Sequence, residues 1–198
     1  MLLFAPRVDF FEACEAVSLH MTAADGSITL ANGDVILAAQ VIVANGFEAY
    51  PLLQPFMGSL NDKKPIGRGV KGQAILLEFD HNDDLPIVYH DGSYIVPHAG
   101  NRIAIGSTSL NRWSGKPNDF DPDDMAFYEN ALTLVPALAE APIVDRWAGV
   151  RPRNTLKGRG TTPWFGPVPG HDNLIALIGG FKITLGVAHY CSQAKQFC

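Results

Sequence analysis

Two continuous apolar runs, one toward each end of the chain, constrain the fold more than any other feature. Val41-Ile42-Val43-Ala44 closes on Asn45-Gly46, and Leu174 to Ile178 closes on Gly179-Gly180. A run that is apolar on both faces suits a strand of a buried parallel sheet, and a glycine just past it lets the chain turn sharply. The residues between the two runs follow another rhythm, that of short strands joined by tight turns. The ends therefore predict one domain and the middle a second, inserted one, with divisions at residues 1–60, 61–155 and 156–198. The length of 198 residues admits one large domain or two small ones, and 47% hydrophobic against 18% charged residues describes a globular chain that can bury a core.

The opening predicts short strands at Val8 to Phe11, Val17 to Met21, Ser27 to Leu30 and Val35 to Leu37, turned by Asp25-Gly26 and Asn32-Gly33. In the middle, Gln73–Phe79, Ile87–Tyr89, Tyr94–Pro97 and Arg102–Ser107 are separated by Asp91-Gly92 and Gly100-Asn101, which predicts an antiparallel meander. Asp121-Pro122-Asp123-Asp124 reads as an N-cap with proline at the first helical position. A helix is predicted over Met125 to Leu134, ended by Pro136. Ile143 to Val150 reads as a strand, and a small-residue helical pattern follows Gly180. The class is α/β (α+β), a parallel-sheet domain carrying a mixed, largely antiparallel insertion.

Several classes of function are disfavoured. The net charge of −5 with no basic stripe speaks against a nucleic-acid partner. No apolar run reaches the length of a membrane span. Three scattered cysteines fit a reducing, cytoplasmic setting better than a disulfide framework, and the six histidines lack metal-ligand spacing. The acidic runs Asp80 to Asp84 and Asp119 to Asp124 read as solvated loops or helix starts rather than cation sites. Gly67-Arg68-Gly69-Val70-Lys71-Gly72 spells G-x-G-x-x-G, with Asp91 at the distance of a ribose-binding acid. A dinucleotide loop needs a strand before it and a helix after it. Lys63-Lys64-Pro65 precedes this one and the strand pattern Ala74-Ile75-Leu76-Leu77 follows, so it reads as a decoy.

The segment Trp147-Ala148-Gly149-Val150-Arg151-Pro152-Arg153 carries most of the functional signal. A guanidinium grips a carboxylate through two parallel hydrogen bonds, Pro152 stiffens the backbone after it, and Gly149 leaves room beside it. The competing reading pairs Arg151 with an acid such as Asp145. Gly179-Gly180 can turn tightly and present backbone N–H groups to negative charge, such as that of a reduced flavin ring, or can be an ordinary strand–helix turn. Lys182 adds positive charge there or points to solvent. Tyr94 offers a phenol to a substrate carboxylate or is a half-buried strand residue. Ser107-Thr108-Ser109 has no histidine–acid partner that would make a hydrolase. The expectation is that Arg151 and the paired glycines converge on one cavity.

In order along the chain, Val41 to Gly46, Val70-Lys71-Gly72-Gln73, Tyr94-Ile95-Val96-Pro97, Ile105-Gly106-Ser107-Thr108, Trp147 to Pro152 and Gly179-Gly180-Phe181-Lys182 resemble the FAD-dependent oxidoreductase family of D-amino-acid oxidase and glycine oxidase. The likeness is strongest to the bacterial glycine oxidase and D-amino-acid dehydrogenase branch. The resemblance implies an FAD domain and a substrate domain, with Arg151 binding the carboxylate of a small amine substrate and Tyr94 assisting it. It implies that Gly179, Gly180, Phe181, Lys182, Ile183 and Thr184 run along the flavin. Ala44, Asn45 and Gly46 would pack near the nucleotide portion, and the backbone of Ala16 would meet the adenine. The implied chemistry is hydride transfer from Cα–H to the flavin, giving an imine that hydrolyses. Glu48 stands where family members often carry an aromatic residue, and Thr184 where glycine is common. The family's opening strand–glycine loop–helix has no counterpart, so the chain reads as starting partway into the FAD domain. A catalytically silent remnant or interaction module, an oligomer, or completion by another polypeptide are the alternatives.

Overall fold

The computed structural model describes residues 8–82 and 84–180. The chain is a mixed α/β protein of two compact units. One takes the described residues up to Gly67 and from Asn154 onward, and Arg68–Arg153 form the other.

The first unit holds two three-stranded sheets. Strands β1 (Ala16–Met21), β2 (Gly26–Leu30) and β3 (Val35–Ala38) form an antiparallel sheet in that order. Thr22 and Asp25 close the first turn through a 2.6 Å side-chain bond, and Gly33 at φ +91 closes the second. The other sheet runs β10 (Trp164–Val168), β11 (His171–Ile178), β4 (Val41–Val43). The two apolar runs of the sequence meet here as parallel neighbours, Leu174 opposite Val41 and Ala176 opposite Val43. This ladder is parallel, and β10 lies antiparallel on the far side of β11. The expectation that β4 is buried on both faces is corrected at Ile42, which is 56% exposed because its face of the strand lines an open groove. Val8 to Phe11 form no strand. Phe10 and Phe11 are exposed and no neighbouring strand takes their backbone groups.

Helix α1 (Ala49–Met57) forms although Pro51 and Pro55 lie within it. Pro51 lies in the first turn, where its missing N–H has no intrahelical partner to lose, and Pro55 forfeits one bond inside the helix. Burial outweighs that loss. Ala49, Tyr50, Leu53 and Met57 are sealed against Val41, Val43, Leu174 and Ile178 in one core.

The second unit is a five-stranded sheet in the order β6 (Val88–His90), β7 (Ser93–His98), β8 (Arg102–Gly106), β5 (Gly67–Glu78), β9 (Ile143–Asn154). The β6–β7, β7–β8 and β8–β5 ladders are antiparallel. Asp91-Gly92 and Gly100-Asn101 each place two successive residues at positive φ, the twist that suits a two-residue hairpin. Strand β5 runs straight through Gly67–Glu78, so a strand follows the G-x-G-x-x-G and no helix opens there. That disposes of the dinucleotide reading. Strand β9 passes Val150 and continues through Arg151-Pro152-Arg153 to Asn154. Proline is tolerated because β9 is the sheet's edge. Helix α2 (Ala126–Leu134) lies on one face, burying Phe127 and Ala131 against Ile75, Leu77, Ile95, Ile103 and Ile105.

The acidic run does not cap that helix. Met125 precedes it with no side-chain cap, and the Asp121 carboxylate instead accepts the N–H of Asp123 at 3.0 Å. Gln73, 1% exposed on β5, is the reason. Its amide nitrogen donates to the carbonyls of Asp121 (2.8 Å) and Asp124 (2.7 Å), and its oxygen accepts the N–H of Asp121 (2.9 Å). The turn's peptide groups are thereby held to the sheet before the helix begins. Gln73→Ala leaves three polar groups without these bonds. A loss of about 2–3 kcal/mol is expected, read as a lower urea midpoint at unchanged slope.

Candidate functional site

In the second unit the ladder places the candidate residues. Tyr89, Tyr94, Gly106 and Ala74 fall in one row across β6, β7, β8 and β5. The next row, Ile95, Ile105 and Ile75, is buried with α2, so the first row faces the other way. Gly72 lies two residues before Ala74 on the same open face. An ideal Cβ on Gly72 would sit 2.9 Å from Nη2 and 3.2 Å from Cζ of Arg151, so the guanidinium lies directly over this glycine. The floor is made of Gly72, Ala74 and Gly106, while Arg151, Tyr94 and Tyr89 rise from it.

Arg151 is oriented from β8. Its Nη2 donates to the Thr108 carbonyl at 2.7 Å, and the Thr108 hydroxyl in turn accepts the backbone N–H of Gln73 at 3.2 Å. Burial first, and the neighbouring Arg153 second, lower the pKa of Arg151. Both influences oppose its charge, and a bound carboxylate would favour it. Asp145, the competing partner, accepts the backbone N–H of Arg146 at 2.7 Å. The room beside Arg151 is owed to Gly72 and not to Gly149, whose Cβ position meets nothing within 4 Å. Tyr94 is 47% exposed, and its ring leans on Tyr89 with centroids 4.5 Å apart. Tyr89 had no signal in the sequence, since only cross-strand pairing brings it beside Tyr94.

In the first unit a groove of about 930 Å³ runs along β1, β4 and the start of α1. Ala16, Ala44 and Asn45 all line it, with Val17 and Ile42 as apolar walls. Gly46 follows at φ +70, turning the chain into a 3-10 turn, Gly46–Glu48, ahead of α1. Glu48 also lines the groove, an acid where an aromatic residue would be commoner in the resembling family. Gly179 has φ +82 and its Cβ position is filled by the side chain of Asn154, whereas Gly180 meets nothing within 4 Å. Phe181, Lys182, Ile183 and Thr184, and the helix expected after them, lie outside the described residues. Among the described residues, no helix is long and apolar enough to cross a membrane.

Residues 4–194 match the family described as FAD dependent oxidoreductase. Glycine oxidase of Pseudomonas putida is 32% identical over 190 residues, covering 94% of this chain and 48% of that protein. Glycine oxidase of Bacillus subtilis is 30% identical over 159 residues, covering 76% of this chain and 38% of that protein. The chain thus spans under half the length of these relatives. The solved glycine oxidase from Bacillus cereus superposes with a TM-score of 0.74 at 22% identity, over 94% of this chain and 50% of that one, a likeness of fold.

Proposed function

Because this chain belongs to the FAD dependent oxidoreductase family, we propose that it serves the oxidation of a small amine that carries a carboxylate, with glycine and its N-methyl or D-amino-acid relatives as the substrate class. The observation that carries this reading is the guanidinium of Arg151 seated over Gly72 on an open, small-floored sheet face. Arg151 grips the substrate carboxylate through charge-assisted bonds, the Thr108 carbonyl holds the guanidinium in place, and Tyr94 donates its phenol to the same carboxylate. The substrate's Cα–H is thereby fixed in orientation. No acid–base residue is required of this unit.

The groove of the first unit fits the nucleotide part of FAD in size and lining. Ala16 and Ala44 are small enough for backbone to approach a ring, and Val17 and Ile42 offer apolar faces to an adenine. Gly179 and Gly180, with Phe181 to Thr184 beyond them, are assigned to the flavin end, where exposed N–H groups would meet negative charge. When bound, FAD supplies the acceptor for the hydride leaving Cα. Lys182 supplies positive charge at that end.

A second reading is favoured by β4, which among the described residues ends its sheet. On it, the chain keeps FAD only with a further polypeptide or a second copy completing that edge. A reducing, cytoplasmic setting accords with Cys14, which is free and exposed. The test is the visible spectrum of the purified chain with added FAD. Retained yellow colour that bleaches anaerobically with glycine, sarcosine or a D-amino acid is expected, and protein that stays colourless after gel filtration defeats the first reading.

A further inference from the structure

We propose that Asn154 is a positioning residue, which with Tyr50 sets the shape of the Gly179–Gly180 turn and through it the placement of the flavin. The inference rests on the cofactor reading above and extends it to two side chains that do not touch the groove.

Asn154 is 1% exposed at the end of β9, and both halves of its carboxamide are committed. Its Oδ1 accepts the Tyr50 hydroxyl at 3.0 Å, and its Nδ2 donates to the Thr162 carbonyl at 2.7 Å. Two bonds in different directions fix the plane of the amide. That plane occupies the space where Gly179 would carry a side chain. With Gly179 at φ +82, the bend leaving β11 rests on the carboxamide as on a template. Tyr50 is itself held, since it is 4% exposed and Gly67 makes way for its ring. Gly67, Tyr50, Asn154 and Gly179 thus form one stack, with a glycine at each end.

An apolar pair in place of Tyr50 and Asn154 would fill the same volume without the need to satisfy buried polar groups. What the polar pair adds is direction. The carboxamide cannot rotate without breaking a bond, so the turn above it has one position. Burial also pushes the Tyr50 hydroxyl well above the ordinary phenol range, keeping it a neutral donor.

The experiment uses the full chain labelled with 15N-glycine, compared with Tyr50→Phe, which keeps the ring and loses the bond, and with Asn154→Ala. Amide resonances are recorded before FAD is added, and the flavin absorption band and FAD dissociation constant afterwards. In Tyr50→Phe the Gly179 and Gly180 resonances are expected to shift while those of Gly33 and Gly92 stay. The bound flavin band is expected to move, and FAD to bind about tenfold more weakly. Unchanged Gly179 and Gly180 resonances in both variants overturn the proposal, as do shifted resonances with an unaltered flavin band and affinity. A wild-type chain that leaves the spectrum of added FAD unaltered is a separate failure, seen before any variant is made, and it overturns the cofactor reading itself.

Discussion

Arg151→Ala in the FAD-loaded protein is expected to lower kcat/KM for carboxylate-bearing amines by about 10²–10³-fold, the ~3–4 kcal/mol of a two-bonded charge-assisted contact. The loss should fall mainly on KM if the guanidinium grips substrate and transition state alike, and on kcat as well to the extent that it aligns Cα–H. An amine without a carboxylate should be oxidised by wild type and variant at the same low efficiency. Gly72→Ala is the companion change. It leaves Arg151 in the chain but puts a methyl group 2.9 Å from Nη2 and 3.1 Å from the Thr108 carbonyl that orients it. A loss in the same direction, about tenfold, is expected from displacing the guanidinium by a few tenths of an ångström. Steady-state rates against glycine, sarcosine and a simple alkylamine decide the matter. If Arg151→Ala retains its preference for the carboxylate-bearing substrates, the assignment of Arg151 fails.

Gly67→Ala is expected to destabilise the protein by about 2–4 kcal/mol, although it adds a single methyl group. A Cβ on Gly67 would fall inside the Tyr50 ring. The ring cannot swing aside, because it belongs to the same core as Met57, Ile66 and Leu174 and its hydroxyl is bonded to Asn154. Either the ring shifts and a buried bond breaks, or the backbone at Gly67 moves off the ring. Gly149→Ala is the contrast, with nothing within 4 Å of its Cβ position and no positive φ, and should change stability by no more than about 0.5 kcal/mol. Urea unfolding of the two variants under one set of conditions measures the difference. Equal midpoints would mean that the Tyr50 ring is free to move.

These two substitutions also explain the motif that looked like a phosphate loop. Gly67 and Gly72 are glycines because Tyr50 and Arg151 lie over them, one in each unit. Nothing about a pyrophosphate is involved. In the string of residues the two needs cannot be told apart, since both read as glycine near lysine and arginine. The neighbours that distinguish them are remote. Tyr50 meets Asn154 across 104 positions, and the Arg151 guanidinium bonds to Thr108 across 43.

Elements governed by their own neighbours in the chain could be read without coordinates. Asp91-Gly92 and Gly100-Asn101 turn where a two-residue hairpin demands positive φ, the alternation of β5 and β8 gives their buried rows, and the apolar runs at 41–44 and 174–178 form strands. Such signals hold because backbone propensity and period act over a few residues. They failed where a distant group outweighed them. The Asp121–Asp124 cap was drawn off its helix by Gln73 on β5. Arg151 could be named from its flanking residues, but the small floor beneath it, the carbonyl that aims it and the Tyr89–Tyr94 wall arise from strand order. Residue type carries the chemistry a side chain is capable of. Which groups stand within bonding distance of it depends on packing between segments far apart in the chain, and no local pattern encodes that.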